Sequence, residues 1–146
     1  MISFTVPGDP VGKGRPRMTR AGHAFTPAKT RNSEAFVKLC ATQAMAGRPL
    51  VADPVVMSLN IRCAIPHSWS QRKKAQALTG ELRPGRPDID NIAKLVADAL
   101  NGVVLVDDKQ ICALVAHKMY AREPGIDVVI ALAIALAVPV STPPAA

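Results

Sequence analysis

Ile92, Leu95, Val96, Ala99 and Leu100 stand at i, i+3, i+4, i+7 and i+8, the spacing of one buried helical face. Asp90 or Asn91 offers an N-cap and Gly102 a stop, so a helix is predicted from about Ile89 or Asn91. Elsewhere the period drops to two. Met57, Leu59, Ile61, Cys63 and Ile65 alternate with Ser58, Asn60, Arg62 and Ala64, a strand with one buried face. Residues 2–6 read as a first strand ended by Pro7-Gly8, and a long Gly- and Pro-rich loop follows over about 7–29. Residues from about 30 to 46 read as a helix burying Phe36, Leu39, Cys40 and Ala44, stopped by Gly47 and Pro49. Ser68-Trp69-Ser70-Gln71 fits a capping box and Gly80 a helix stop. Val103–Val106 reads as a short strand ending in the turn sequence Asp107-Asp108-Lys109. Ile111–Tyr120 is strand-like with Lys118 interrupting it, Pro124-Gly125 is a turn, and Ile126 to about Ala133 a last strand. This order predicts one small α/β (α+β) domain, a mixed β-sheet flanked by helices, over 1–134. Residues 135–146 form an Ala- and Pro-rich tail, either packed on a partner subunit or loose.

Charge divides the chain. Residues 88–108 hold Asp88, Asp90, Asp98, Asp107 and Asp108 against Lys94 alone, a formal −4. The other seventeen Lys and Arg against six Asp and Glu leave +11. With a pI near 9.8, this balance points to a polyanionic partner. Lys13, Arg15, Arg17, Arg20 and Lys29 lie in the first loop, where Asp9 is the only acid. Lys13-x-Arg15-x-Arg17 would align three cations if extended, suited to a phosphate backbone. Arg72, Lys73, Lys74, Arg83 and Arg86 continue the positive charge up to Asp88. Either these cations grip nucleic acid or they form a solvated face. Aromatics make up only 3%, which argues against a base-stacking platform.

A chain of 146 residues that is 49% apolar holds one domain with a real core. Cys40, Cys63 and Cys112 are odd in number and form no C-x-x-C, so neither zinc nor a disulfide frame is supported. His23, His67 and His117 show no ligand spacing. Met1-Ile-Ser-Phe-Thr-Val reads as a strand rather than a secretion signal, and the longest apolar run, Val128–Val140, is too short to cross a bilayer. A cytoplasmic protein without a membrane segment is expected.

The acidic stretch carries the candidate chemistry. Asp88 and Asp90, if extended, point to one side, and the Asp107-Asp108 turn offers a route back toward them. Converging carboxylates repel unless a hard divalent ion sits among them, and such an ion supports phosphodiester hydrolysis. Plainer readings stand beside this one. One of Asp88 and Asp90 caps the helix, Asp107-Asp108 is a polar turn, and Asp98 pairs with Lys94 on the surface.

Arg86-Pro-Asp-Ile-Asp-Asn-Ile-Ala-Lys94, Asp98-Ala-Leu-Asn-Gly102 and Val106-Asp-Asp-Lys-Gln-Ile111 together resemble the RusA-type Holliday-junction resolvases. The likeness extends to Gly8-Asp-Pro-Val-Gly-Lys-Gly-Arg-Pro-Arg17 and to Lys118-Met-Tyr120. It implies a homodimeric, Mg²⁺-dependent endodeoxyribonuclease, with Mn²⁺ as a substitute. Such an enzyme cuts branched DNA in recombination and repair and is common in phages. By position it implies Asp88, Asp90 and Asp108 as metal-binding carboxylates and Lys94 as the catalytic lysine. Asp107 matches a neighbouring acid. Lys13, Arg15, Arg17, Arg20, Lys29, Arg72, Lys73, Lys74, Arg86 and Lys118 would contact DNA. The alternatives are a non-catalytic branched-DNA-binding module and a general flap or single-strand nuclease.

Overall fold

A computed structural model describes residues 1–133. The 135–146 tail, with residue 134, lies outside them. The centre is β4 (Val55–Ala64), where Val55, Val56, Met57, Leu59, Ile61 and Cys63 are buried. It pairs antiparallel with β6 (Gly125–Leu132) and parallel with β5 (Ile111–Ala121); β1 (Ile2–Pro7) pairs antiparallel with β6. The mixed sheet has the order β1-β6-β4-β5. A parallel pair requires a crossover, and here it runs through α2 (Gln71–Thr79) and α3 (Ile89–Leu100). The α+β domain read from the sequence is the observed one.

Helices α1 (Ala28–Met45) and α3 cover the sheet face that presents Met57, Leu59, Ile61 and Cys63. On α3, Ile92, Leu95, Val96, Ala99 and Leu100 are all buried, as their spacing requires, and each large aliphatic adds about 1.5–3 kcal/mol of burial. The face of α1 differs in part from expectation: Cys40 and Ala44 pack half-buried against the core, but the centre of the face lies elsewhere. Val37, Ala41 and Met45 are buried, whereas Phe36 is 41% and Leu39 53% exposed. Both stripes have helical spacing and lie one residue apart, so the local pattern permits either. The opposite sheet face is polar in its middle. The Asp127 carboxylate accepts from the Thr5 hydroxyl, the Asn60 amide and, through both oxygens, the Arg62 guanidinium. Burial pushes the Asp127 carboxyl up, but these donors and the Arg62 charge outweigh it and hold it below the usual range.

Three further differences concern loops and caps. The first loop contains a two-stranded ribbon, β2 (Arg17–Met18) with β3 (Ala24–Phe25), turned at Gly22, whose φ is +84°. The cap of α2 is Ser70, which accepts from the Lys73 amide, rather than Ser68; Gly80 ends the helix as expected. Val103–Val106 is not a strand. Three successive amides, Val103 to Leu105, donate to the Leu100 carbonyl, winding the run into a turn that buries Val104 and Leu105.

Candidate acidic site and basic cleft

The acidic motif opens α3. The peptide bond from Arg86 to Pro87 is cis, and Asp88 follows at the N-cap with φ −64° and ψ 140°. Its carbonyl accepts from the Ile92 amide, but its carboxylate makes no capping bond. Capping is therefore not what occupies the Asp88 side chain. Ile89 already belongs to the helix, so Asp88 and Asp90 are not successive same-side positions of an extended segment. They stand on the first turn of α3, both exposed. Lys94 is exposed one turn beyond Asp90, at i+4.

Across this turn lies the start of the first loop. The Lys13 amide donates to the Asn91 carbonyl at 2.9 Å. A Cβ at Gly12 would stand 3.1 Å from the Cβ atoms of both Asn91 and Pro87, so only glycine allows this approach without a shift. The Gly14 amide donates to the Thr30 hydroxyl at 2.9 Å, tying the segment to α1. The Lys13 ammonium pairs with the Asp98 carboxylate. This overturns the expected Asp98–Lys94 pair, and it takes Lys13 out of the row of three free cations. Past this anchor an open cleft of about 820 Å³ is lined by Arg15, Arg17, Lys29 and Arg86 together with Asp88 and Asn91. Arg20 lies exposed in the ribbon turn, outside the cleft lining.

Asp107 and Asp108 belong to a different place. Asp107 caps the 3₁₀ turn Asp108–Gln110: its carboxylate accepts from the Lys109 amide, and the Gln110 side chain accepts from the Asp107 amide. The Lys109 amide first, then the Asp108 side chain, hold the Asp107 carboxyl below the usual range. The Gln110 amide donates to the carbonyls of Val51 and Asp53, pinning the turn before β4. Gln110 was missed from sequence, although the Asp107-x-x-Gln110 spacing is that of a capping box. This turn precedes Ile111, which pairs with Val55, whereas the start of α3 sits beside Lys118, which pairs with Ile61. From Ile111 to Lys118 the strand rises about 23 Å. Among the described residues no three His, Cys, Asp or Glu side chains gather where one ion could touch them all. The expected return of Asp108 to Asp88 and Asp90 therefore does not occur within one chain.

The remaining cations have varied surroundings. The Lys118 ammonium donates to the carbonyls of Gly85 and Pro87. The Lys73 ammonium lies 4.1 Å from the centroid of the Trp69 ring, which packs in a T-shaped pair with Tyr120 at 5.3 Å between centroids. Trp69 thus pins α2 to β5. Arg72 is exposed and Lys74 half-buried on the same helix, and neither lines the cleft. Cys40, Cys63 and Cys112 are free thiols. No described helix is long and apolar enough to cross a membrane.

Residues 7–131 match the family model of Endodeoxyribonuclease RusA. The chain belongs to the RusA endodeoxyribonuclease family. It is also 41% identical over 137 residues to the uncharacterized protein YqaN of Bacillus subtilis (strain 168), covering 88% of this chain and 94% of that protein. The RusA match takes in the cleft, the α3 motif and the Asp107-Asp108 turn together. Membership implies an endodeoxyribonuclease, a hydrolase of DNA phosphodiester bonds.

Proposed function

We propose that this chain is a divalent-metal-dependent resolvase of four-way DNA junctions, acting in recombination and repair. The observation that supports it best is a single cleft whose lining includes Asp88 together with Arg15, Arg17, Lys29 and Arg86. A pure DNA-binding module gains nothing from an uncapped carboxylate there, since it repels phosphate.

The donor chemistry fits a hard cation: Asp88 and Asp90 offer carboxylate oxygens on one helical turn, and neither accepts a side-chain hydrogen bond among the described residues. Bound there, Mg²⁺ or Mn²⁺ would supply the Lewis acidity that phosphodiester hydrolysis needs. Arg15, Arg17, Lys29 and Arg86 hold backbone phosphates, with Arg20 extending the grip. Arg72, Lys73 and Lys74 reach DNA only where an arm lies over α2. Lys94 stabilises charge developing on the phosphate. Lys13, paired with Asp98, holds the loop instead of the substrate.

Asp108 completes the acidic set in this reading, and it does so between copies. Symmetric cutting of a junction needs two sites, hence a homodimer with twofold symmetry. In that dimer each copy brings its Asp108 to the Asp88 and Asp90 of the other.

Purified protein assayed with Mg²⁺ on junction, flap and linear duplex tests the activity. Junction cutting is expected to dominate; equal cutting of flaps points to a general nuclease, and no cutting to a binding module. Asp90→Asn is expected to bind junctions and not cut them. Mixing inactive Asp90→Asn with inactive Asp108→Asn tests the sharing. Exchange of subunits restores one intact site and single-strand nicking if sites are shared, and nothing if each site lies within one chain.

A further inference from the structure

We propose that Lys118 is a positioning residue for the acidic site: its ammonium clamps the two carbonyls that flank Arg86 and so fixes how Asp88 leaves the N-cap of α3. The proposal rests on the reading of Asp88 as a site carboxylate.

Lys118 lies on β5 in register with Ile61, which is fully buried, so its stem leaves the sheet on the helix-covered side. Its Nζ donates to the Gly85 carbonyl at 2.6 Å and to the Pro87 carbonyl at 2.8 Å. Among the described residues no backbone amide reaches either carbonyl across a turn or cap. An ammonium has three donors, and bonds from a charged donor are shorter and stronger than neutral ones. Two of the three are spent on backbone that immediately precedes Asp88. The sequence offers Lys118 as a DNA contact, but its charge is directed at protein carbonyls and its side chain is half-buried.

The consequence is geometric. Pro87 and Asp88 are adjacent, so holding the Pro87 carbonyl holds the peptide plane from which Asp88 departs. A residue that fixes a ligand in this way typically alters metal affinity or activity by about 10–100-fold when removed.

The test compares Lys118→Met and Lys118→Arg with Arg62→Met. The last loosens the Asp127 network on the opposite sheet face and serves as a matched structural control. Three readouts are taken on the full chain: amide hydrogen exchange over residues 85–92, junction binding in EDTA, and the Mg²⁺ concentration for half-maximal junction cutting. Lys118→Met is expected to speed exchange over 85–92 at least tenfold beyond Arg62→Met. It raises the Mg²⁺ midpoint by about 10–100-fold and leaves binding in EDTA within twofold. Lys118→Arg, still a donor to carbonyls, recovers part of both changes, and the control moves neither. Weakened binding in EDTA with an unmoved Mg²⁺ midpoint makes Lys118 a DNA contact and overturns the proposal. Unchanged exchange over 85–92 overturns it as well. Should the unmutated protein cut nothing, the resolvase reading fails, while the exchange comparison still decides the clamp. Lys118→Leu, which likewise has no donor, replaces Met where Met does not fold.

Discussion

Substituting Gly12 by Ala tests whether the first loop is a built part of the site. Gly12 does not have a positive φ, so alanine brings no backbone strain there. In an open loop the change would stiffen the unfolded chain and stabilise the protein by about 0.4–1 kcal/mol. Here the new Cβ meets the Cβ atoms of Asn91 and Pro87 at 3.1 Å, and neither can swing away because each is fixed to its backbone. Ordinary carbon contact begins near 3.5 Å, so a shift of about 0.4 Å is required. If the loop lifts by that much, the Lys13–Asn91 hydrogen bond lengthens from 2.9 Å to about 3.3 Å, past its usual range. Overpacking of this kind costs about 1–3 kcal/mol. After the entropic gain is subtracted, the net destabilisation is about 1–2 kcal/mol, or roughly 2–8 °C in Tm. Thermal unfolding followed by circular dichroism reads the sign, and a junction-binding titration reads the displacement of Arg15 and Arg17. Gly85→Ala meets nothing within 4 Å and serves as the control, expected to stay within about 0.5 kcal/mol. A Tm for Gly12→Ala at or above that of the unmutated protein, with binding intact, refutes the close docking of loop on helix.

Other outcomes follow from the same geometry. The Asp127 carboxyl is held below its usual range in the folded state, so its stabilisation is complete above the unfolded value of about 3.9 and is lost as pH falls through the lower folded value. Asp127→Asn should therefore flatten the stability–pH curve below about pH 4 while lowering stability at pH 7, read from urea midpoints across pH. A double-mutant cycle on Lys13 and Asp98, both side chains partly buried, should return a coupling of about 1 kcal/mol, and additive single changes would remove the anchor. On α1, Val37→Ala should cost about 1–3 kcal/mol and Leu39→Ala under about 0.5, as their opposite burial requires.

The legibility of this chain follows the range over which each feature is decided. The α3 face was readable because apolar residues fill one stripe and polar ones the other. On α1, apolar residues fill two overlapping stripes, and only contact with β1 and α3 selects Val37, Ala41 and Met45. Val103–Val106 has strand composition, but a run of four carries no period, and the Leu100 carbonyl gathers its amides into a turn. The residue types of the acidic motif were legible. Their separation within one chain was not, because the position of Asp108 relative to Asp88 depends on the direction of β5 against β4. The sequence offers Lys13 and Lys118 as DNA contacts for a similar reason. Their partners, Asp98 and the carbonyls of Gly85 and Pro87, are distant in sequence.

The pairing of β1 with β6 joins the first strand of the described chain to the last. During synthesis Ile2–Pro7 packs on α1 but has no strand partner until Gly125–Leu132 has been made; β4 likewise waits for both of its flanking strands. Contacts this distant in sequence make for slow closure. A nascent or truncated chain lacking Gly125–Leu132 therefore cannot complete the sheet that carries Lys118 and underlies α3. For a protein of this family, the capacity to cut DNA then depends on Gly125–Leu132, a segment remote from the acidic motif in sequence.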